Sequence, residues 1–410
     1  MEENRMTIQE KFARLGTDNA PGQEGLQKEE NLPIIGDKLE GPAVDFSHGD
    51  VNAHTPIPGS LETFVKHYAV DGTYQAYTEY RGKGTIREYL AEKLSEYSGA
   101  PVDPKTEIIL TPGTQGALFL AMGALVSSGD KVAIVEPDYF DNRKLVEFFE
   151  GEIVPIQMHW KEAAPRTSGI DLKQLEEAFK GGVKLFLYSN PNNPTGAVYS
   201  PEEVTEIARL AMKYNVAILA DELYSRQIFD KDQPYTHIRA LKEKPDQLIT
   251  IIGPSKTESL SGFRLGVGYG TPEIITRMEK LQAVVSLRCA GYNQAAFLNW
   301  FSEPEGWMEK RIADHQRIRD DLMAVINKCP GCWARPTEGG SYLFLQLPKL
   351  KVDIFQFTKL CRLQANVTVT PGTEFGKQYS DFVRMNFSQD HDKAVSAVER
   401  ICEMVERYRA

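Results

Sequence analysis

The sequence predicts an α/β fold: a large domain with a mostly parallel sheet flanked by helices, joined to a smaller α+β domain. Three observations carry that expectation. From Glu107 to Tyr269 short apolar runs alternate with amphipathic segments, the signature of strand–helix repeats around a parallel sheet. After about residue 305 the texture changes to a long charged helical stretch, short strands and a final helix. The chain of 410 residues is also longer than one small core needs.

Taken in order, the strand candidates are Ile108–Thr111, Val132–Val135, Ile153–Ile156, Lys184–Tyr188, Val216–Ala220, Leu248–Ile252 and Leu265–Tyr269. Helical periodicity falls between most of them, on Gly116–Val126, Leu172–Phe179 and Glu202–Lys213. Further on, Trp307–Asn327 reads as a helix, Ser341–Gln346 and Phe382–Phe387 as strands, and His391–Arg409 as a closing helix. The expected division has a flexible N-terminal arm at 1–40, polar and weakly patterned. Residues 41–55 and 305–410 then form the small domain, and 56–304 the large, cofactor-binding one.

Composition narrows the function classes. Forty-one per cent apolar and 25 per cent charged residues describe an ordinary globular chain. A net charge of −10 argues against a nucleic-acid partner, which needs a basic face. No apolar run approaches the roughly 20 residues of a membrane helix, and the acidic N-terminus lacks the apolar core of a signal peptide. The expected location is the cytoplasm. Five cysteines do not form a disulfide framework. Cys329-Pro-Gly-Cys332 has no second pair and no nearby histidine pair, so it reads as a helix-terminating turn and no metal is expected.

One lysine carries the chemistry. Lys256 lies just beyond the apolar run Leu248–Ile252, in Gly253-Pro-Ser-Lys-Thr-Glu-Ser-Leu-Ser-Gly-Phe-Arg264. Upstream stand Asn190-Pro-Asn-Asn-Pro-Thr-Gly196 and Asp221-Glu-Leu-Tyr224. A lysine can form a Schiff base, an aspartate can hold a pyridinium proton, and an arginine can bind a phosphate. Tyrosine and asparagine can bind a phenolate oxygen. The set is an inventory for pyridoxal 5′-phosphate. Thr111-Pro-Gly-Thr-Gln-Gly-Ala-Leu118 follows a strand candidate and opens a helix, and helix N-termini bind dianions through unpaired N–H groups.

At these motifs, from about Val44 to the C-terminus, the chain resembles the class I/II aminotransferases, the fold-type I pyridoxal-phosphate enzymes. The resemblance implies that Lys256 holds the cofactor, that Asp221 pairs with its ring nitrogen, and that Tyr139 stacks on the ring. Thr114, Gln115, Ser255 and Arg264 would bind the phosphate, and Asn193 and Tyr224 the ring oxygen. The family often has a serine three residues before the lysine, where this chain has Gly253. Arg384, in Val383-Arg-Met-Asn-Phe-Ser388 after Pro371-Gly-Thr-Glu-Phe-Gly376, matches the position that grips the substrate α-carboxylate. Gly49 matches a segment that closes over the substrate, and Asn193 also borders it. Tyr77 matches a tyrosine that reaches the cofactor phosphate of a partner subunit, which implies a homodimer with shared sites. Arg288 could approach the other subunit's substrate or form an interface salt bridge. His48 and His54 are candidates to face the substrate.

The implied activity is an aminotransferase that moves the amino group of an L-amino acid to a 2-oxo acid. Two alternatives stand beside it: another pyridoxal-phosphate reaction on the same scaffold (elimination, cyclisation or amino-acid oxidation), and a non-catalytic regulator.

Overall fold

The computed structural model describes residues 7–17, 32–48, 53–70, 72, 74–230, 232 and 235–410; Gly49 lies outside them. Its strands are β1 (Val44–Asp45), β2 (Ile108–Pro112), β3 (Lys131–Glu136), β4 (Glu152–Gln157), β5 (Leu185–Ser189), β6 (Ala217–Asp221), β7 (Leu248–Ile252), β8 (Leu265–Gly270), β9 (Tyr342–Gln346), β10 (Val367–Thr368), β11 (Thr370–Pro371) and β12 (Phe382–Asn386).

Seven strands form the main sheet in the order β2-β8-β7-β6-β5-β3-β4. All neighbours pair in parallel except those of β8, which runs antiparallel to β7 and β2. The central strands are apolar along their whole length: Leu185–Ser189 and Leu248–Ile252 are buried at every position. Helices on both faces demand that pattern, because neither side of the sheet meets water. The expected strands each lie within a residue or two of the observed ones.

The helices are fixed by local chemistry. Ser200 accepts from Glu203 N, and the Glu203 carboxylate returns to Ser200 N, closing a capping box on Pro201–Tyr214. Such a cap contributes about 1 kcal/mol. One boundary differs from expectation. The helix expected from Gly116 begins at Gly113, because Gly113 takes φ +75°, a turn that Thr111 Oγ1 secures by donating to Gly113 O (2.9 Å). The helix therefore opens with Thr114 and Gln115 in its first turn.

A second core gathers Val44 and Phe46 with residues from Ile318 to Tyr408, around the antiparallel sheet β11-β12-β9 and the pair β1-β10. Val44 pairs in register with Val367. A helix at Ile8–Leu15, capped by Thr7 and Glu10, lies among the described residues of the arm and was not revealed by sequence patterning. It packs on the helix Phe140–Phe148, and Lys144 Nζ reaches Gly16 O at 3.3 Å. Cys329 and Cys332 close a turn after the helix Trp307–Ile326 (Cys332 N to Cys329 O, 3.1 Å). All five cysteines are free, and the described residues contain no cluster suited to a metal ion. No helix among them is long and apolar enough to cross a membrane.

Candidate active site

The carboxyl ends of parallel strands collect ligands in such sheets, and here they collect the predicted residues. Asp221 is the last residue of β6, in register with Ser189 of β5 and Ile251 of β7. Lys256 follows β7 by four positions. Thr114 and Gln115 follow β2, and Arg264 precedes β8. A cavity of about 440 Å³ opens there. Ten predicted residues line it: Thr114, Gln115, Tyr139, Asn193, Asp221, Tyr224, Ser255, Lys256, Arg264 and Arg384.

Asp221 sits in a desolvated setting. Its Oδ1 accepts from Leu223 N at 3.0 Å, and burial lifts its carboxyl to about 6, opposed by that bond and by the Lys256 charge. Beside it, Asp138 receives both the amide and hydroxyl of Ser189. Ser189 Oγ in turn accepts from Asn193 N (3.1 Å), which fixes the loop carrying Asn193. Burial pushes Asp138 up to about 7. Tyr139 donates from its hydroxyl to Asp141 Oδ2 (2.8 Å) and lies 3.2 Å from Gln115 Oε1.

Arg264 occupies the left-handed region at φ 53°, and its Nη1 donates to Ser261 O. Its guanidinium lies against Gly113, where a Cβ would collide with it. It is thereby held over the first turn of the helix at 113–125. Arg384, on β12, is 2% exposed. Its Nη2 donates to Ser47 O (2.7 Å) and its Nη1 to Asn193 Oδ1 (3.2 Å), while Nε has no partner. Tyr342 and Phe375 hold its planar face at 4.4 and 5.0 Å.

The residues fit a phosphorylated pyridine. The Ser255 hydroxyl is buried without a hydrogen-bond partner, beside the unpaired first-turn N–H groups and Arg264, where a phosphate would satisfy it. The Tyr224 hydroxyl is likewise buried and completes no hydrogen bond of good geometry, although its ring packs on Tyr342 (5.6 Å).

Three expectations resolve differently. His48 lines the cavity mouth, with Nδ1 3.0 Å from Asp45 Oδ2. His54 instead packs on the His315 ring at 4.5 Å and does not line the cavity; burial, helped by the Arg311 charge, lowers it to about 4. Tyr77 is 82% exposed and outside its own subunit's cavity; Arg288 stacks on it and on Tyr80. Sequence reasoning missed Ser47, Asp138, Asp141, Ser189 and Tyr342. Of these only Asp138 and Ser189 carried a signal, each standing next to a motif already marked.

Fold and cavity together define a pyridoxal-phosphate enzyme of the transferase kind, and comparison with known proteins narrows the class. Residues 44–401 match the model of the aminotransferase class I and II family. The structure of an aspartate aminotransferase from Rhodobacter sphaeroides 2.4.1 superimposes with a TM-score of 0.92 at 56% identity, covering 98% of this chain and 100% of that one. The aspartate aminotransferase of Sulfolobus acidocaldarius is 29% identical, with 82% of this chain and 84% of that protein aligned. Aromatic-amino-acid aminotransferase 2 of Thermococcus litoralis is 26% identical over 82% and 86%. The chain belongs to the class I and II aminotransferases. It is a pyridoxal-phosphate-dependent enzyme that passes an amino group between an amino acid and a 2-oxo acid.

Proposed function

We propose that the cavity at the carboxyl edge of the main sheet is the transamination site, with Lys256, Asp221 and Tyr139 as its catalytic residues. The observation that carries this reading is that two buried polar groups on the cavity wall, the Ser255 hydroxyl and Arg384 Nε, have no hydrogen-bond partner within the protein. Pyridoxal phosphate bound there supplies a carbonyl carbon that condenses with amines and a protonated ring that absorbs negative charge.

The chain's own groups do the rest. Arg264, Ser255 and the first-turn amides of Thr114 and Gln115 anchor the phosphate. Asp221 holds a proton on the ring nitrogen, and that cation in turn keeps the desolvated carboxyl ionised. Tyr224 and Asn193 bind the ring oxygen, and Tyr139 covers the ring face. Arg384 grips the substrate α-carboxylate, with its fork already oriented by Ser47 and Asn193. Asn193 also borders the substrate; the role of Gly49 is the one the family resemblance implies. Lys256 Nζ anchors the cofactor and then carries the proton removed from the substrate α-carbon.

The proposal includes a cytoplasmic homodimer with shared sites, in which Tyr77 reaches the partner's cofactor, and the domain division stated above. Support for the dimer comes from one apolar face. Leu61, Val65 and Tyr68 are exposed on the helix Ser60–Val70, and Tyr68 meets the exposed Tyr292 at 6.2 Å, an apolar patch of the kind that marks an interface. Phe64 links that face to Tyr292 (5.9 Å) and to Phe263 (5.7 Å), which adjoins Arg264. The free cysteines suit a reducing compartment.

The test is spectral. An amino acid added to the holoenzyme should convert its cofactor stoichiometrically to pyridoxamine phosphate, and a 2-oxo acid should reverse the change. Release of ammonia instead of that reversal would overturn transamination at this site.

A further inference from the structure

We propose that the cavity takes an amino acid whose side chain ends in a cation, an ammonium or guanidinium, and that Asp141 is the residue that selects it. The inference rests on the residue roles assigned above and extends them to the substrate's far end.

The argument is an inventory of charge. Five ionised side chains line the cavity: Lys256, Arg264, Arg384, Asp141 and Asp221. Four of them are committed to the cofactor carbonyl, its phosphate, the α-carboxylate and the ring nitrogen. Asp141 has no counterpart among those groups. It lies on the same wall as Arg384 and Tyr139, and its carboxylate receives only neutral donors, the Tyr139 hydroxyl at 2.8 Å and the Gln115 side chain. The ammonium nearby, Lys144, is occupied by Glu374 (3.3 Å) and by Gly16 O. Arg384 is occupied by Ser47 and Asn193. Glu374, paired with Lys144, is only 11% exposed; with Arg384, whose charge also reaches both carboxylates, given to the substrate α-carboxylate, two partly buried carboxylates face one ammonium.

A carboxylate accepts from about four directions, and Tyr139 and Gln115 use two. Burial raises the pKa of Asp141, a cost that an incoming cation relieves and an incoming anion increases. The alternative role for Asp141 is only to orient Tyr139. Tyr139 already has a second acceptor, Gln115 Oε1 at 3.2 Å, so orientation alone does not require a buried charge. A side-chain carboxylate, as aspartate carries, would face Asp141 as a like charge.

Asp141→Asn tests the idea, since the amide keeps the size and an acceptor for Tyr139. Two quantities should be measured for ornithine, lysine, arginine, leucine and aspartate. One is the dissociation constant by calorimetry on cofactor-loaded Lys256→Ala protein, with and without the second substitution. The other is kcat/KM for the half-reaction in the Lys256 background. The wild-type cavity should bind at least one of the three cationic amino acids more tightly than leucine or aspartate. Asp141→Asn should weaken that binding about 10- to 100-fold, the scale of a hydrogen bond to a charged group, with a much smaller loss for leucine and a gain for aspartate. Tighter wild-type binding of aspartate than of all three cations would overturn the proposal. An equal loss for every amino acid would do so too, leaving Asp141 as a support for Tyr139. If turnover were absent while the binding preference held, the catalytic roles would fall and the selectivity would stand.

Discussion

Two desolvated carboxylates lie near Lys256, and they are partnered in opposite ways. Glu258, two residues after the lysine, is 1% exposed and well answered. Arg226 Nη1 reaches its Oε1 at 2.5 Å, Trp300 Nε1 donates at 3.1 Å, and Arg226 also binds Glu303 while stacking on Phe301 at 4.2 Å. Asp221, on the cavity wall, receives a single backbone amide and has its carboxyl raised to about 6. Desolvation raises both carboxyls; what differs is the number of partners each finds. A buried charge complete within the protein holds the fold, and one left incomplete is made for a ligand.

The contrast can be broken by substitution, beginning with its centre. Lys256→Ala should lose turnover by several orders of magnitude yet keep cofactor binding and a melting temperature within a few degrees of wild type. Borohydride should fix the cofactor on Lys256 in the parent and on no residue of the variant, as peptide mass mapping would show. Asp221→Ala should lose rate by at least the roughly 10²–10³-fold of a principal electrostatic stabiliser. Activity within about tenfold of wild type would make Asp221 structural.

Arg226→Met should behave in the reverse sense. It leaves Glu258 buried and unpaired, a destabilisation of about 3–5 kcal/mol read by urea unfolding, while the folded fraction keeps its kcat. The sign for Asp221 sharpens the point. Its folded pKa of about 6 stands above the ordinary 3.8, so the cofactor-free protein is favoured below pH 3.8 and loses that advantage as pH rises to about 6. Asp221→Asn without cofactor should therefore be more stable than wild type at pH 7, by at most about 2–3 kcal/mol, with the difference vanishing toward pH 4. Ser255→Ala should give the smallest effect: about tenfold weaker cofactor binding, and no change in the stability of the cofactor-free protein.

The main sheet was legible because its central strands are dominated by buried apolar residues, and Leu248–Ile252 was read to the residue. The cavity was legible where a residue type has few other uses at a strand end, as with Asp221 and Lys256. Asp141 and Tyr342 escaped because their meaning depends on what faces them across the fold. Tyr342 comes to the cavity from β9, 86 positions beyond Lys256 in a different sheet. The helix at Ile8–Leu15 escaped although Thr7 and Glu10 spell a capping box; the segment is short, and none of its residues is buried.

Gly253 now has a reason. A Cβ there would lie 2.8 Å from the Thr114 methyl, so the methyl fills the space that a serine at 253 would need. Gly113 yields its space to Arg264 in the same way, and Gly266 gives way to the backbone at 113 and 114. Five positions spread over more than 150 residues thus form one steric lock. Descent should record it: across relatives of this chain, a serine at 253 should travel with a smaller residue at 114, the glycine at 113 should change only when Arg264 does, and the glycine at 266, pressed on backbone, should not change.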